Sequence, residues 1–478
     1  MKIRFVFSLL LFAFCTSNVS NGQKKIIERV ENDIKIGHFN EARTKIYKYI
    51  GENSPSNLLI DSLLDKIELM KRIEHEFTLT EKQVTTKLAE FYPELNAQQL
   101  RTWEKNNVLE MRLINNERRY FKRAVSNLFL IDPQAAKVRS AKYGASTDNV
   151  GNFCKRYIPS LIEKRNDLGL PFDSKKIKIS YSITLPANTL PENEIVRCWL
   201  PFPKATSNFL KISNFKTPEK KYILSNDSNL HSSLYIEKQT IANKPLVFSY
   251  ECEIETAAKY YDLSKLAIVP YDTNSQLYKD YTKEELPHII LSENIKKLAR
   301  QIVGAETNPY NQVKLLYYWI NDHIPWASAL EYSVFECIPE YVLAHSKGDC
   351  GMQTFLFLSL ARSLNIPCKW QSGWYLLPEE INMHDWAEVY YQEIGWVPLD
   401  ASFKLIENNN NRVKEFYITG LDSYRMIVND GISLPFFPAK IFKRSEPFDF
   451  QRGELEWRGG NLYFDKWDYD INIEYLPN

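Results

Sequence analysis

The chain has 478 residues, which is about three times the ~150 residues of one typical domain, so several domains are expected. Hydrophobic residues make up 44% and charged residues 25%, a composition that excludes disordered and collagen-like chains. Lys and Arg number 60 against 59 Asp and Glu, a balance that disfavours a nucleic-acid partner, and the sequence has no apolar run of about 18 residues to span a membrane.

The first 22 residues have the pattern of a secretory signal peptide. Lys2 and Arg4 precede an apolar run from Phe5 to Cys15, and small and polar residues follow up to Gly22. The sequence therefore predicts cleavage near Gly22 and a secreted or periplasmic mature protein. A buried N-terminal helix is the alternative interpretation.

Residues 23–170 are predicted to form a helical region that could bind a partner of unknown identity. The region is rich in Glu, Lys, Leu and Ala, and apolar residues recur at a spacing interpreted as helical, as in Leu109, Met111, Leu113 and Ile114. Residues 37–42 resemble the turn of a helical hairpin, without a second copy at a fixed period. Gly169, Pro171 and Asp173 predict a boundary after which the rest of the chain is separable.

Alternating apolar and polar residues begin at Ile177 and predict a β-sandwich-like domain over residues 174–262. The predicted strands cover residues 177–185, 195–200, 234–237 and 246–255. Cys198 and Cys252 lie on the apolar faces of two of these strands and are predicted to be core thiols. Because an exported protein can form disulfides, a bridge between them stays open.

The predicted core over residues 263–410 begins with two helices and leads to Cys350. Ser292 and Asn308 are predicted N-caps, with Gly304 ending the first helix and Pro309 opening the second, which runs to about His323. The segment from Gly348 to Gly351, which contains Cys350, stands immediately before an apolar helix from Met352 to Asn365. Free amide groups and the helix dipole stabilise a thiolate at such a position, so the sequence predicts a nucleophilic thiol with a lowered pKa.

His384 and Asp400 are predicted to lie side by side on neighbouring strands. His384 stands near the start of an alternating segment, a turn follows at Ile394-Gly395, and the next strand ends at Asp400. A histidine base oriented by a carboxylate is the arrangement that activates a thiol. The backbone amide of Cys350 is the predicted oxyanion donor, with Trp326 and Gln353 as further candidates for the pocket.

Three motifs in this order resemble the transglutaminase-like superfamily: GDC at a helix start, HxWxEVY from His384, and GWxPLD ending at Asp400. The resemblance covers about residues 288–403, with a looser match from Tyr417 to Asn429. It implies an α+β protein with a papain/transglutaminase-like core, placed here after the β-sandwich-like domain and the helical region and before a C-terminal β extension at 411–478. It also implies that Cys350 is the nucleophile, His384 the base and Asp400 the orienting residue.

A nucleophilic cysteine predicts a thioester formed from an amide or peptide bond of a protein or peptide substrate. Transfer to water would make the protein a cysteine peptidase or amidase, which is favoured by analogy with secreted bacterial members. Transfer to a lysine amine would make it a protein-glutamine gamma-glutamyltransferase, and a non-catalytic binding or scaffold protein is the third hypothesis. We predict no cofactor and no metal, because CxxC and HExxH patterns are absent from the sequence.

Overall fold

The computed structural model describes residues 21–205, 209–226, 228–432 and 435–477, and the chain divides into two compact units between Lys142 and Tyr143. Residues 1–20 of the predicted signal peptide lie outside the described ranges. Within those ranges, no helix is both long and apolar enough to cross a membrane.

The first unit combines helices with one small antiparallel sheet. Its helices are α1 Asn21–Ile36, α2 Phe39–Asn53, α3 Asn57–Glu76, α4 Glu81–Ala89, α5 Ala97–Lys105, α6 Ala124–Ile131 and α7 Pro133–Tyr143. Its strands are β1 Leu79–Thr80, β2 Met111–Ile114 and β3 Glu117–Tyr120, in the spatial order β1-β3-β2. The helical hairpin predicted around Gly37 is confirmed, since α1 and α2 flank it.

The helical interpretation of residues 109–114 is wrong, because Met111–Ile114 is the strand β2. Asn115 and Asn116 both have positive φ angles, of 51° and 66°, and they form a two-residue loop into β3. Asparagine tolerates this left-handed conformation, which matches the twist of a tight hairpin. The pair of asparagines was therefore the local signal for a hairpin.

The second unit contains eight further helices among the described residues, some of them a single turn. They are α8 Asn149–Lys164, α9 Gln276–Thr282, α10 Glu293–Val303, α11 Pro309–His323, α12 Ile338–His345, α13 Cys350–Ser363, α14 Asn411–Lys414 and α15 Phe416–Thr419. The predicted caps are confirmed: the Ser292 side chain accepts a hydrogen bond from the amide of Ile295, and Asn308 accepts from the amides of Tyr310 and Asn311.

Three sheets carry the strands of this unit. The strands are β4 Phe172–Leu185, β5 Ile195–Pro201, β6 Leu210–Lys216, β7 Ile223–Leu224, β8 Ser233–Gln239, β9 Leu246–Tyr260, β10 Cys368–Leu377, β11 Glu380–Tyr391, β12 Gly395–Leu399, β13 Gly420–Leu421, β14 Arg425–Asn429, β15 Glu454–Trp457, β16 Gly460–Leu462 and β17 Asp468–Leu476. The sheet orders are β12-β11-β10-β14, β13-β9-β4-β17 with β6 also on β9, and β16-β15-β5-β8-β7. The four strands predicted before residue 262 are all present, and Cys198 and Cys252 are buried free thiols.

The residues after 411 complete the earlier sheets and do not form a separate extension. Strand β17 pairs with β4, β15 pairs with β5, and β14 pairs with β10 of the core. These pairings satisfy strand edges that would otherwise expose unpaired backbone groups. Strands from the two ends of the second unit therefore share one cooperative structure.

Helix α8 belongs to the second unit, although the sequence grouped it with the helical region 23–170. Its residues Phe153, Ile158 and Leu161 are buried in the same hydrophobic core as strands β4 and β9. The division between the units therefore precedes the boundary predicted near Gly169. Helical periodicity shows that a helix is amphipathic, but it does not show which partner covers its apolar face.

This packing predicts that α8 is needed for the stability of the second unit. A truncated protein that begins at Tyr143 keeps α8, whereas one that begins at Ser174 exposes the apolar surface that α8 covers. Each buried apolar side chain lost is worth about 1.5–3 kcal/mol, so the Ser174 version should melt at a clearly lower temperature or be insoluble. Equal melting temperatures for the two truncated proteins would contradict this assignment.

Candidate active site

Cys350 is the first residue of helix α13, where the backbone amide groups have no partner within the helix. Asp349 caps the helix, and its Oδ1 accepts a hydrogen bond from the amide of Met352 at 3.1 Å. Gly351 is required next, because a Cβ at this position would lie 2.1 Å from the Tyr332 hydroxyl and 2.7 Å from Asp385 Oδ2. The helix start predicted from the sequence is confirmed, and two polar side chains lie directly against it.

His384 and Asp400 meet as the sequence predicted. His384 lies on β11, Asp400 directly follows β12, and these two strands pair antiparallel. His384 Nε2 lies 2.7 Å from Asp400 Oδ2, and both side chains are buried. The imidazole is therefore oriented by a carboxylate that is shielded from solvent.

Asp400 accepts hydrogen bonds from Arg425 and Ser402 as well as contacting His384. Arg425 donates from Nη1 to Asp400 Oδ2 at 2.8 Å, and the Ser402 hydroxyl donates to Oδ1 at 3.0 Å. Burial raises the pKa of Asp400, but its hydrogen bonds with His384 and Arg425 and the positive charge of Arg425 outweigh burial and lower the pKa to about 2. Asp400 is thus ionised at any ordinary pH.

The ionised state of Asp400 fixes the tautomer of His384. A carboxylate only accepts hydrogen bonds, so Nε2 carries the proton, and in a neutral ring Nδ1 is then the free proton acceptor. Burial lowers the pKa of His384 against the opposing effect of Asp400, which keeps the ring neutral at rest. A neutral imidazole with an available nitrogen is the form that a general base requires.

Arg425 is the site residue that the sequence analysis did not single out. It is fully buried, with its guanidinium 4.2 Å from the ring centre of Phe403, and it also donates from Nε to Asp422 at 2.9 Å. Two features of the sequence pointed to Arg425. The looser motif match runs through Tyr424 and Arg425, and Arg425 is a charged residue at the start of an apolar strand. Sequence alone does not reveal that this strand runs beside β10 and reaches Asp400.

The replacement of Asp400 by Asn should lower turnover strongly while the protein stays folded. Asparagine keeps an acceptor for the Ser402 hydroxyl but loses the charge that fixes the imidazole tautomer and stabilises the imidazolium. A comparable change in a catalytic triad lowers kcat by about 10⁴-fold, and a loss of that order is expected here. Wild-type kcat in a folded Asp400→Asn protein would exclude the orienting role.

The thiol itself does not have the lowered pKa that the sequence predicted. Burial raises the pKa of Cys350 well above its usual range, and the neighbouring carboxylates Asp385 and Asp349 raise it further. The thiol donates a hydrogen bond to Asp385 Oδ2 over 3.4 Å. The helix N-terminus favours a thiolate, but here burial and negative neighbours outweigh that effect. The resting site therefore contains an uncharged thiol and an uncharged imidazole.

Of the other candidate groups, one is exposed at the surface and the others are buried. Trp326 is 40% exposed and lies on a segment that pairs with Gly348, two residues before the cysteine. Gln353 is buried, and its Nε2 donates to the carbonyl of Gly348 at 3.1 Å. This hydrogen bond stabilises the segment that precedes Cys350. Glu388 forms a buried ion pair with Lys369, which is a structural role.

Among the residues that the structure describes, no group of three or more His, Cys, Asp or Glu side chains is arranged to hold a metal ion. The described residues include the groups that thiol chemistry uses: a sulfur at the N-terminus of α13, and an imidazole on β11 that is paired with an ionised carboxylate.

Parts of the chain are similar to known proteins. Residues 296–401 match the family model of the transglutaminase-like superfamily, so this part of the chain is similar to the core of that superfamily. An uncharacterised protein of Haemophilus influenzae is 25% identical over 160 residues, with 28% of this chain and 42% of that protein covered. The chain thus spans less than half the length of this relative.

Two solved structures show more distant similarity. A candidate cysteine protease from Cytophaga hutchinsonii is 15% identical, with 64% of this chain and 92% of that chain covered at a TM-score of 0.44. The periplasmic domain of TgpA from Pseudomonas aeruginosa is 13% identical, with 53% of this chain and 91% of that chain covered at a TM-score of 0.26.

Proposed function

We propose that the protein is a cysteine-dependent acyl-transfer enzyme that acts on amide or peptide bonds, with Cys350, His384 and Asp400 as its catalytic residues. The observation that carries the proposal is the 2.7 Å contact between His384 and an Asp400 that Arg425 also binds. A binding protein with no catalytic role has no need for a buried pair of histidine and carboxylate on a strand whose next residue, Asp385, contacts a helix-terminal thiol. Burying such groups costs free energy unless each is paired.

In the first half of the reaction, Nδ1 of His384 takes the thiol proton and the sulfur attacks the substrate carbonyl carbon. The oxyanion that forms is stabilised by the Cys350 amide at the open N-terminus of α13, while Asp400 stabilises the imidazolium. The carbon–nitrogen bond then breaks, the imidazolium gives its proton to the leaving amine, and an acyl group stays on the sulfur as a thioester. Transfer of the proton from the thiol to the imidazole is consistent with a resting site in which both groups are uncharged.

In the second half, an acceptor attacks the thioester and His384 removes its proton. Water as the acceptor gives hydrolysis and regenerates the thiol, and we favour this outcome because water needs no second binding site. A lysine amine as the acceptor gives a cross-linking transferase, which is the alternative. We also propose a secreted or periplasmic location, which rests on the signal-peptide pattern of residues 1–22.

The experiment that tests this proposal is mass spectrometry of peptide libraries incubated with the protein and an added primary amine. A mass change that corresponds to amide hydrolysis supports the hydrolase, and incorporation of the amine supports the transferase. Unchanged libraries with the wild-type protein, across substrates with glutamine, asparagine and backbone amides, would favour the scaffold hypothesis.

A further inference from the structure

Asp385, the residue after His384, contacts the sulfur of Cys350. Its Oδ2 accepts the thiol hydrogen bond over 3.4 Å, and its Oδ1 accepts a hydrogen bond from Gln451 Nε2 at 2.6 Å. Gln451 also donates to the backbone carbonyl of His384 at 2.9 Å, so it fixes both neighbours on β11. Gln451, from the C-terminal part of the chain, therefore holds the carboxyl group of Asp385 against the sulfur of Cys350.

The surroundings of Asp385 are acidic. The ionisable groups that face Asp385 or the thiol come from the cap of α13, the turn before α12, the strands β10 and β11, and the segment before β15: Asp349, Glu331, Tyr332, Tyr375, His384, Glu446, Asp449 and Arg452. Arg452 brings a positive charge, but Glu331 engages it in an ion pair. Burial raises the pKa of Asp349 to about 6, and burial and neighbouring acids raise that of Asp385 as well.

This geometry does not follow from the proposed acyl-transfer mechanism, in which Asp400 already supplies the carboxylate. Asp385 does not orient the imidazole ring, and its side chain contacts the sulfur instead. A carboxyl group that accepts the S–H hydrogen bond favours the protonated thiol, because ionisation of the thiol breaks this bond and leaves the negative charge of the sulfur in acidic surroundings. Thiolates, not thiols, are the forms that oxidants and alkylating agents attack.

Building on the proposed function, we propose that Asp385 is a further catalytic residue, which holds the Cys350 thiol in its protonated form until substrate binds. Its carboxyl group must release the S–H hydrogen bond before His384 Nδ1 can take that proton. No atom is transferred to Asp385 in this step: the S–H bond breaks, the N–H bond forms on His384, and the electron pair stays on sulfur. The resting enzyme would thereby be protected from oxidation at its nucleophile.

The test is a pH titration of thiolate absorbance, taken as the difference between each protein and the same protein that also carries Cys350→Ala. The variant Asp385→Asn keeps the shape of the side chain and an acceptor for Gln451 but removes the ionisable carboxyl group. We expect its thiolate midpoint to fall by one pH unit or more relative to the wild type, which corresponds to about tenfold more thiolate below the midpoint. Glu388→Gln neutralises another buried carboxylate on β11 and is the matched control, with an unchanged midpoint.

Equal titration curves for Asp385→Asn and the wild type, including no thiolate in either protein, would overturn the proposal. If Asp385→Asn does not fold, the shape of the wild-type titration curve alone tests the proposal. Coupling between Asp385 and the thiol predicts thiolate formation in two steps, and a single step would overturn it. Because the titration needs no substrate, a shifted midpoint without any amide turnover would refute the proposed function and leave the role of Asp385 standing.

Discussion

Replacing Cys350 by alanine should abolish amide turnover and leave the fold intact. The sulfur is the proposed nucleophile, and without it neither His384 nor Asp400 can form the thioester. Removal of a nucleophile from a comparable triad lowers kcat by about 10⁶-fold, and we expect a loss of that order. Alanine is a good helix former at the first position of α13, so the thermal unfolding midpoint should change by only a few degrees.

Cys337 offers a matched control for this experiment. Like Cys350 it is half-buried and stands at a helix start, as the N-cap of α12, and burial also raises the pKa of its thiol. We expect Cys337→Ala to keep turnover near the wild-type level. Turnover that is retained in Cys350→Ala but lost in Cys337→Ala would show that Cys337 is the nucleophile.

The second large effect is expected from Arg425→Met, which should destabilise the protein by about 3–5 kcal/mol at neutral pH. Methionine fills a similar volume but leaves Asp400 and Asp422 buried without their cation, because both carboxylates receive hydrogen bonds from Arg425. Turnover should also fall, since Asp400 would no longer be fixed against His384. Urea unfolding measures the loss of stability.

The stability loss in Arg425→Met should depend on pH with a defined sign. In the wild type the pKa of Asp400 is lowered to about 2, so its ionised form contributes stability above the ordinary aspartate pKa of about 4, and this is lost as the pH falls towards 2. Without Arg425 the pKa of the buried Asp400 rises, and protonation relieves its unpaired charge. The difference between variant and wild type should therefore be larger at pH 7 than at pH 4.

Arg156 provides the control for charge removal alone. Its side chain is 63% exposed and pairs with Glu379, so Arg156→Gln should cost less than about 1 kcal/mol. Equal losses for Arg156→Gln and Arg425→Met, or an Arg425→Met effect that does not vary with pH, would contradict the described role of Arg425.

The features that the sequence predicted well are those encoded over short distances. Ser292 and Asn308 indicate helix starts because their side chains cap the helices. Strict alternation of apolar and polar residues from Ile177 predicts β4. The pairing of His384 with Asp400 was predictable for the same reason, because a short turn at Gly395 joins their two strands.

The features that it missed depend on contacts between distant parts of the chain. Arg425 reaches Asp400 only because β14 pairs with β10, and Gln451 reaches Asp385 from a segment 66 residues away. The pKa of Cys350 was predicted with the wrong sign because burial and the neighbouring acids are tertiary properties, whereas the helix N-terminus is a local one. The grouping of α8 with the first helices failed for the same reason.

In the proposed reaction, the sulfur of Cys350 carries an acyl group between the two half-reactions. The most direct measurement is mass spectrometry of the protein itself, quenched in acid during turnover of a peptide substrate found in the library experiment and then digested. We expect an acyl adduct on the peptide that contains Cys350, and no such adduct in Cys350→Ala. Steady turnover with the adduct on another residue, or undiminished turnover in Cys350→Ala, would contradict the proposed reaction.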